Sequence, residues 1–294
     1  MPRGRSAAPL PAGMPQLFTT RQAIEQGVTR NRLRAGDLDR QIWGVRATAP
    51  IGGLETRCRA LLERLPGDAF ISHLTALLLH GAPAPDRFRH DERIDVAVPS
   101  PARAPHASGI RGHRLASLEA WSRRGLRLSS PATAWLDAGM MLRLPELVAI
   151  GDRLIGPPHP IVTAPEIADR LDRRPAHLAK RRLLLALALL DGRAESYPES
   201  ILRVMLHEAG FPPPEVNRSY HVGRRVVRPD LSYPQRRIAI EYQGDHHRER
   251  EQWLDDLQRR LAMEAAGWTI IEVTAADLRD PAALFARLRA LLSS

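Results

Sequence analysis

The segment RPDLSYPQRRIAIEYQGDHH, residues 228–247, restricts the fold more tightly than any other part of the chain. Residues 236–240 alternate apolar and polar as a strand does, and LSYPQRR before them reads as a strand running into a turn. Antiparallel pairing across that turn sets Asp230 and Glu241 on neighbouring strands, and register decides whether they share a face. Glu241 and Gln243 are two positions apart, so both project from one side of their strand. Gly244 then lets the backbone turn away, with His246 and His247 just beyond.

Two carboxylates with a polar side chain two positions on suit a hard divalent cation such as Mg²⁺ or Mn²⁺, which takes carboxylate, water and phosphate oxygens. Such a site can offset the charge of a phosphodiester and deliver a water. A histidine beside it can accept or return a proton near neutral pH. The expectation is a Mg²⁺-dependent nuclease with Asp230, Glu241, Gln243, His246, His247 and Glu199 as catalytic residues and Asp230, Glu241 and Glu199 as metal ligands. Each acid also has a plainer role. Asp230 suits a turn, and Glu241 suits a strand position paired with an arginine. Ser196-Tyr-Pro-Glu199 is a capping box in which Glu199 reaches back to the Ser196 amide. In the helix that follows, Asp255 with Arg259 and Asp256 with Arg260 have i,i+4 spacing, which suits surface ion pairs. Arg259 and Arg260 are alternatively phosphate contacts.

The residues around this segment predict an α/β sandwich over 193–294. SYPESILRVMLHEAG reads as a helix opened by Ser196 and ended at Gly210, with Ile201, Leu202, Met205 and Ala209 inward. Strands are expected over 218–222, 225–233 and 236–242. A helix follows over 250–266, closed by Gly267, then the buried strand WTIIEVT and a last helix begun by Asp280-Pro281. Helix, three strands, helix, strand, helix gives two layers with a mixed sheet.

The remaining blocks are less sharply marked. Residues 1–17 read as a basic disordered arm without the apolar core of a signal peptide. Over 18–50, Thr20 caps a short helix with Ala23, Ile24 and Val28 as its apolar stripe, ended by Gly27. Thr29 caps a second helix carrying Arg30, Asn31, Arg32 and Arg34, and residues 42–45 form a strand. This sketches a winged helix-turn-helix that offers those four residues to duplex DNA; the alternative is a small helical cap with a solvated charged face. Residues 51–155 form a mixed α/β middle block: CRALLERL and DAFISHLTALLLHG as helices, IDVAVPS and GIRGHRL as strands, and a helix capped by Ser130 with Pro131 first. His73, His80, His106 and His113 match no ligand spacing and read as core or surface histidines. GPPHPIVTAP opens a linker over 156–192, which includes a basic helix over 175–190.

The chain has 294 residues, 44% of them hydrophobic, and a formal net charge of +10. That balance favours a polyanionic partner, although Lys180 is the sole lysine and the basicity is arginine. Cys58 is the sole cysteine, which excludes an internal disulfide and fits a reducing compartment. No apolar run reaches membrane-spanning length, so the expected location is cytoplasmic. Aromatic content of 5% argues against a reader of single-stranded RNA, which needs stacking platforms.

Residues 197–292 resemble the endonuclease-like domains related to the very-short-patch mismatch repair endonuclease, in the PD-(D/E)xK superfamily. The matching text is PESILRVMLHEAGF, PEVN, RPDLSYPQRRIAIEYQGDHH, the helix with Asp256 and Arg260, and AAGWTIIEVTAADL. The resemblance implies a restriction-endonuclease-like sandwich. In it Asp230 is the metal-binding acid, Glu241 the second acid, and His246 or His247 the histidine that assists water attack. Gln243 stands where the motif has lysine and brings no charge, so transition-state charge falls to metal or arginine. The front of the chain resembles the AbiEi-type antitoxin arrangement, on FTTRQAIEQGVTRNRLRAGDLDRQIWGVRA, ISHLTALLLHGAP, IDVAVPS and the SSPATAWLDA helix. That resemblance implies DNA binding and autoregulation, and allows a toxin partner. It supports a second reading, a transcriptional regulator or antitoxin whose nuclease fold is an inactive scaffold.

Overall fold

The computed structural model describes residues 7–115, 120–174, 178–244 and 250–293, without the side chains of Ala120 and of residues 250–256. The chain is mixed α/β and divides into two compact units, Met1–Asp137 and Ala138–Ser294. No helix among the described residues is long and apolar enough to cross a membrane.

In the first unit, β1 (Leu17–Thr19) leads into α1 (Thr20–Glu25) and pairs antiparallel with β2 (Val45–Ala47). The cap of α1 is Thr19, not Thr20. Its hydroxyl accepts the Gln22 N–H at 3.1 Å while Gln22 Oε1 accepts the Thr19 N–H at 2.8 Å, a complete capping box. Ala23 and Val28 are buried, but Ile24 is 47% exposed, because so short a helix turns only a narrow face inward.

The second helix expected from Thr29 is a single 3-10 turn, Arg32–Arg34. Ala35 leaves the helical region with ψ 148°, and Arg32 forks onto Asp37 at 2.9 and 2.7 Å while also donating to the Ala8 carbonyl. The neighbouring strand falls at Val45–Ala47 rather than over 42–45. Ile42 is a core residue, and Gly44, at φ +71°, makes the bend into the strand. The described part of the arm is not loose either: Leu10 and Met14 pack on Phe18, Ala23, Val28, Leu33 and Leu38.

The rest of this unit comprises α2 (Leu54–Leu62), β3 (Phe70–Ile71), α3 (His73–Leu79), β4 (Ile94–Pro99), β5 (Ile110–Leu115), β6 (Ala120–Arg123), β7 (Leu126–Ser129) and α4 (Pro131–Ala138). Five strands form one sheet in the order β5-β4-β3-β7-β6, with β4–β5 and β3–β7 parallel and the other pairs antiparallel. Phe70 and Ile71, expected in a helix, lie in the central strand, where burial on both faces suits aromatic and β-branched side chains. Asp95, 1% exposed, accepts hydrogen bonds from the Thr75 amide and hydroxyl at 3.1 and 3.0 Å and from Arg111 at 3.1 Å. His113 Nε2 lies 3.0 Å from Asp95, and the His73 ring stacks on His113 at 3.5 Å. His80 is buried with Nε2 2.9 Å from the Ser129 carbonyl. These three histidines are engaged by protein groups, and no group of three metal-ligating side chains is assembled among the described residues.

The second unit opens with α5 (Leu144–Ile155), α6 (Ala164–Asp172), α7 (Lys180–Ala188) and α8 (Tyr197–Glu208). The boundary expected at 155 follows proline content and the one at 192 follows Asp191-Gly192; α5 packs along α8 inside this unit. Asp152 of α5 is 1% exposed and receives hydrogen bonds from Ser200 and Arg203 of α8, both at 2.7 Å, and from the Asp191 amide at 2.7 Å. On α8 the buried positions include Leu202, Val204 and Leu206, while Ile201, Met205 and Ala209 are half-buried.

Then follow β8 (Glu215–Val216), β9 (Tyr220–Val222), β10 (Arg225–Val227), β11 (Leu231–Tyr233), β12 (Ile238–Tyr242), α9 (Arg250–Ala265), β13 (Thr269–Val273), α10 (Ala275–Arg279) and α11 (Ala282–Ser293). The strand expected over 225–233 is two strands in two sheets. Pro229 carries no N–H to continue a ladder, so β10 pairs with β9 in a hairpin and β11 joins a sheet of order β13-β12-β11-β8. In that sheet β11–β12 is antiparallel and β12–β13 parallel, which makes it mixed. Alternation separates its faces. Leu231, Tyr233, Ile238, Ile240, Ile271 and Val273 pack with Leu202 and Leu206 of α8 and Leu284 and Leu288 of α11. Ala239 faces the other way, against Met263 of α9 and Val222 and Val227 of the hairpin.

Candidate active site

The turn between β11 and β12 fixes the register that the sequence leaves open. It is a 3-10 turn, Pro234–Arg236, closed by Arg237 in the left-handed region at φ 49°. Tyr233 pairs with Ile238, Ser232 with Ala239 and Leu231 with Ile240. Continued by one step, the ladder sets Asp230 opposite Glu241, on the face carrying Ser232 and Ala239. Residues opposite one another in such a ladder share a face with Cβ atoms about 4.5–5.5 Å apart. One Asp230 oxygen accepts the Tyr242 amide at 2.7 Å, which pins the carboxylate at the end of the hairpin.

Glu199 of α8 is linked to Asp230 through Asn217. Ser196 caps the helix, accepting the Glu199 N–H at 3.3 Å. The Glu199 carboxylate does not close the expected box on the Ser196 amide. It accepts the Glu195 amide at 3.0 Å and Asn217 Nδ2 at 2.9 Å. Asn217, at φ 47°, donates its own amide to the Asp230 carbonyl at 2.9 Å, so one residue braces both acids. Asparagine is among the few non-glycine residues that adopt this conformation readily, a signal present in PEVN that the spacing of acids alone does not reveal.

Asp230, Glu241, Tyr242, Gln243, Arg228 and Arg259 line a pocket of about 270 Å³. Burial pushes the Asp230 carboxyl up to about 7, with the negative charges of Glu199 and Glu241 adding to the rise and the Tyr242 amide and Arg259 opposing it. Glu199 and Glu241 thus both bear on Asp230, within a pocket whose lining sets two arginines against two acids.

Glu241 is 7% exposed and receives a two-pronged hydrogen bond from Arg259 of α9, at 2.5 Å to one oxygen and 2.9 Å to the other. This is the arginine-paired alternative for Glu241, with the partner supplied by the helix. Gln243 projects on the same side, and its Nε2 donates to Glu272 of β13 at 3.2 Å. Arg260 pairs with Glu272 as well. Thus Arg259 and Arg260 both reach acids of the sheet. Asp255 and Asp256 have no described side chains, and His246 and His247 lie outside the described residues. Arg228, unforeseen as a lining residue, also pairs with Glu195 at 2.6 Å.

The residues proposed for DNA contact in the first unit are arranged unequally. Arg30, Asn31 and Arg34 are exposed, whereas Arg32 is engaged by Asp37 and the Ala8 carbonyl.

The second unit is thus a mixed-sheet α/β layer structure with a pocket lined by two acids and two arginines at one end of its central hairpin. No family model matches the chain, and no solved structure matches it. Two curated proteins from two strains of Mycobacterium tuberculosis, the uncharacterized protein MT2308 and the uncharacterized protein Rv2248, are similar to it. Each is 28% identical over 273 residues, covering 92% of this chain and 96% of its own length.

Proposed function

We propose that the chain is a DNA-binding endonuclease-like protein of the cytoplasm whose second unit hydrolyses phosphodiester bonds with Mg²⁺ or Mn²⁺. The observation that carries this reading is the pairing of Asp230 and Glu241 across one hairpin at a pocket that Arg228 and Arg259 also line, with Glu199 near enough to raise the Asp230 carboxyl. The donors are all oxygens, and a carboxyl pushed up to about 7 by burial and two neighbouring acids suits a hard divalent cation. When bound, such an ion would neutralise phosphate charge and make a water nucleophilic at neutral pH.

The chain's own residues divide the remaining work. Asp230 and Glu241 would hold the ion, with Asp230 oriented by the Tyr242 amide. Glu199, fixed by Asn217 and the Glu195 amide, would act as the third acid from beside the pocket, where its charge already raises the Asp230 carboxyl. Gln243 is held by Glu272 and supplies no cation, so arginine must meet the charge on the phosphate. Under this reading the mixed sheet with α8 and α9 is a restriction-endonuclease-like core. The segment of β1, α1, the 3-10 turn and β2 is a reduced winged helix-turn-helix that meets duplex DNA through Arg30, Asn31 and Arg34. Such contacts go mainly to phosphate and position the protein without reading sequence.

The test is relaxation of supercoiled plasmid by purified protein with Mg²⁺ or Mn²⁺, against chelator and against Asp230→Ala and Glu241→Ala. Metal-dependent nicking lost in both variants is expected. Nicking that persists in both removes the site assignment. The Glu241–Arg259 pair, which caps an acid the metal needs, favours the second reading of an inactive scaffold in a DNA-binding regulator. A protein that never cuts but retards its own promoter fragment would establish it.

A further inference from the structure

We propose that Arg259 is a latch on the acidic pocket. It holds Glu241 in the metal-free protein and transfers to a DNA phosphate when a divalent cation takes the Glu241 oxygens. The inference rests on the reading of the pocket as a metal-dependent phosphodiester site.

Both Glu241 oxygens are engaged by one guanidinium, at 2.5 and 2.9 Å, and the carboxylate is 7% exposed. A fork–fork pair uses the in-plane lone pairs of both oxygens, the same electron pairs a divalent cation would need. Cation and guanidinium therefore compete for Glu241. The Arg259 side chain is 26% exposed and lines the pocket together with Asp230 and Gln243, so it stands at the mouth rather than deep in the core. Gln243 brings no charge and donates to Glu272, and Arg260 is committed to Glu272. Arg259 is accordingly the guanidinium placed directly on the acid that would hold the ion.

Once the cation holds Glu241, the Arg259 guanidinium at the pocket lining is placed to meet a phosphate. The two non-bridging oxygens of a phosphodiester accept the same bidentate guanidinium fork as a carboxylate. DNA and metal should then assist one another: the phosphate takes Arg259, which releases Glu241 to the ion. By reciprocity the metal raises affinity for DNA by the same factor. A nuclease with such a latch carries its ion firmly only when substrate is present.

The experiment is calorimetric titration of the full chain with Mn²⁺, with and without a short non-cleavable phosphorothioate duplex, for wild type, Arg259→Gln and Arg259→Lys. The expected result without DNA is Mn²⁺ affinity raised at least about tenfold in Arg259→Gln. In wild type the duplex should raise Mn²⁺ affinity by a similar factor. That gain should be absent in Arg259→Gln and partly kept in Arg259→Lys, which preserves charge and guards against a folding defect. Equal or weaker Mn²⁺ binding in Arg259→Gln overturns the latch, and so does a duplex that leaves wild-type Mn²⁺ affinity unchanged. If the latch behaves as expected but wild type never cleaves plasmid, the nuclease reading fails and the latch stands. If wild type cleaves and Arg259→Gln binds Mn²⁺ no better, the reverse holds. Absence of Mn²⁺ binding in every protein overturns both.

Discussion

Arg259 donates to both carboxylate oxygens of Glu241, at 2.5 and 2.9 Å, and so ties the helix after the hairpin to the last turn-distal acid of its second strand. Both members of the pair bear on the neighbouring Asp230, which burial pushes up to about 7 with Glu199 and Glu241 adding to the rise and Arg259 opposing it. Removing Arg259 should raise Asp230 further. Carboxyl titration by NMR of Arg259→Gln is the check, and a midpoint at or below the wild-type value would contradict the electrostatic account.

The raised Asp230 midpoint has a consequence for stability. An unfolded aspartate titrates near 3.9, so between about pH 4 and 7 the folded chain holds a proton that the unfolded chain has released. Stability of the metal-free protein should therefore fall across that window as pH rises. Asp230→Asn keeps an acceptor for the Tyr242 amide and carries no charge. It should melt several degrees higher than wild type at pH 7.5, with the difference vanishing near pH 4. Equal melting temperatures at pH 7.5 would contradict the assignment.

Asn217 braces both Glu199 and the Asp230 backbone. Asn217→Ala removes the side-chain bond to Glu199 and places alanine in a left-handed conformation that it adopts poorly. Stability should drop by about 1–2 kcal/mol, and metal-dependent cleavage should fall more steeply than in a surface control. Asn217→Gly relieves the backbone strain, so it should recover stability but not activity. Denaturant melts and plasmid assays of the two variants separate these effects.

Asp152 and Arg203 test the packing of α5 on α8. Burial raises the Asp152 carboxyl, while Arg203, the Asp191 amide and Ser200 oppose the rise. Arg203→Met leaves that acid without its cation and should cost roughly 3–5 kcal/mol, with part of the loss recovered at low pH by protonation. The double change Asp152→Leu with Arg203→Met should be milder than Arg203→Met alone. A double-mutant cycle in urea measures this, and strict additivity would argue that the pair is not coupled.

Much of the second unit was legible in the sequence because two periodicities coincide there. The i,i+2 alternation of IAIEY sends Ile238 and Ile240 to one face and Ala239 and Glu241 to the other, and Ser196 with Gly210 brackets α8. Register was not legible, since it depends on the 3-10 turn and on Arg237 at φ 49°. Nor was the partner of Arg259. The contact to Glu241 arises from packing of α9 over the sheet, while the i,i+4 pairing with Asp255 lies outside the described side chains. The front of the chain misled for a related reason. A run of arginines resembles the exposed face of a helix, but Arg32 is spent on Asp37 and Ala8 and the segment closes as one 3-10 turn.

The most direct test of the central claim is a crystal structure of the full chain soaked with Mn²⁺, with anomalous data locating the ion. The expected result is a peak bound by Asp230 and Glu241, with Glu199 near it and Arg259 moved off Glu241. A well-occupied Mn²⁺ elsewhere, with Arg259 still forked onto Glu241 and no peak at Asp230, would contradict it.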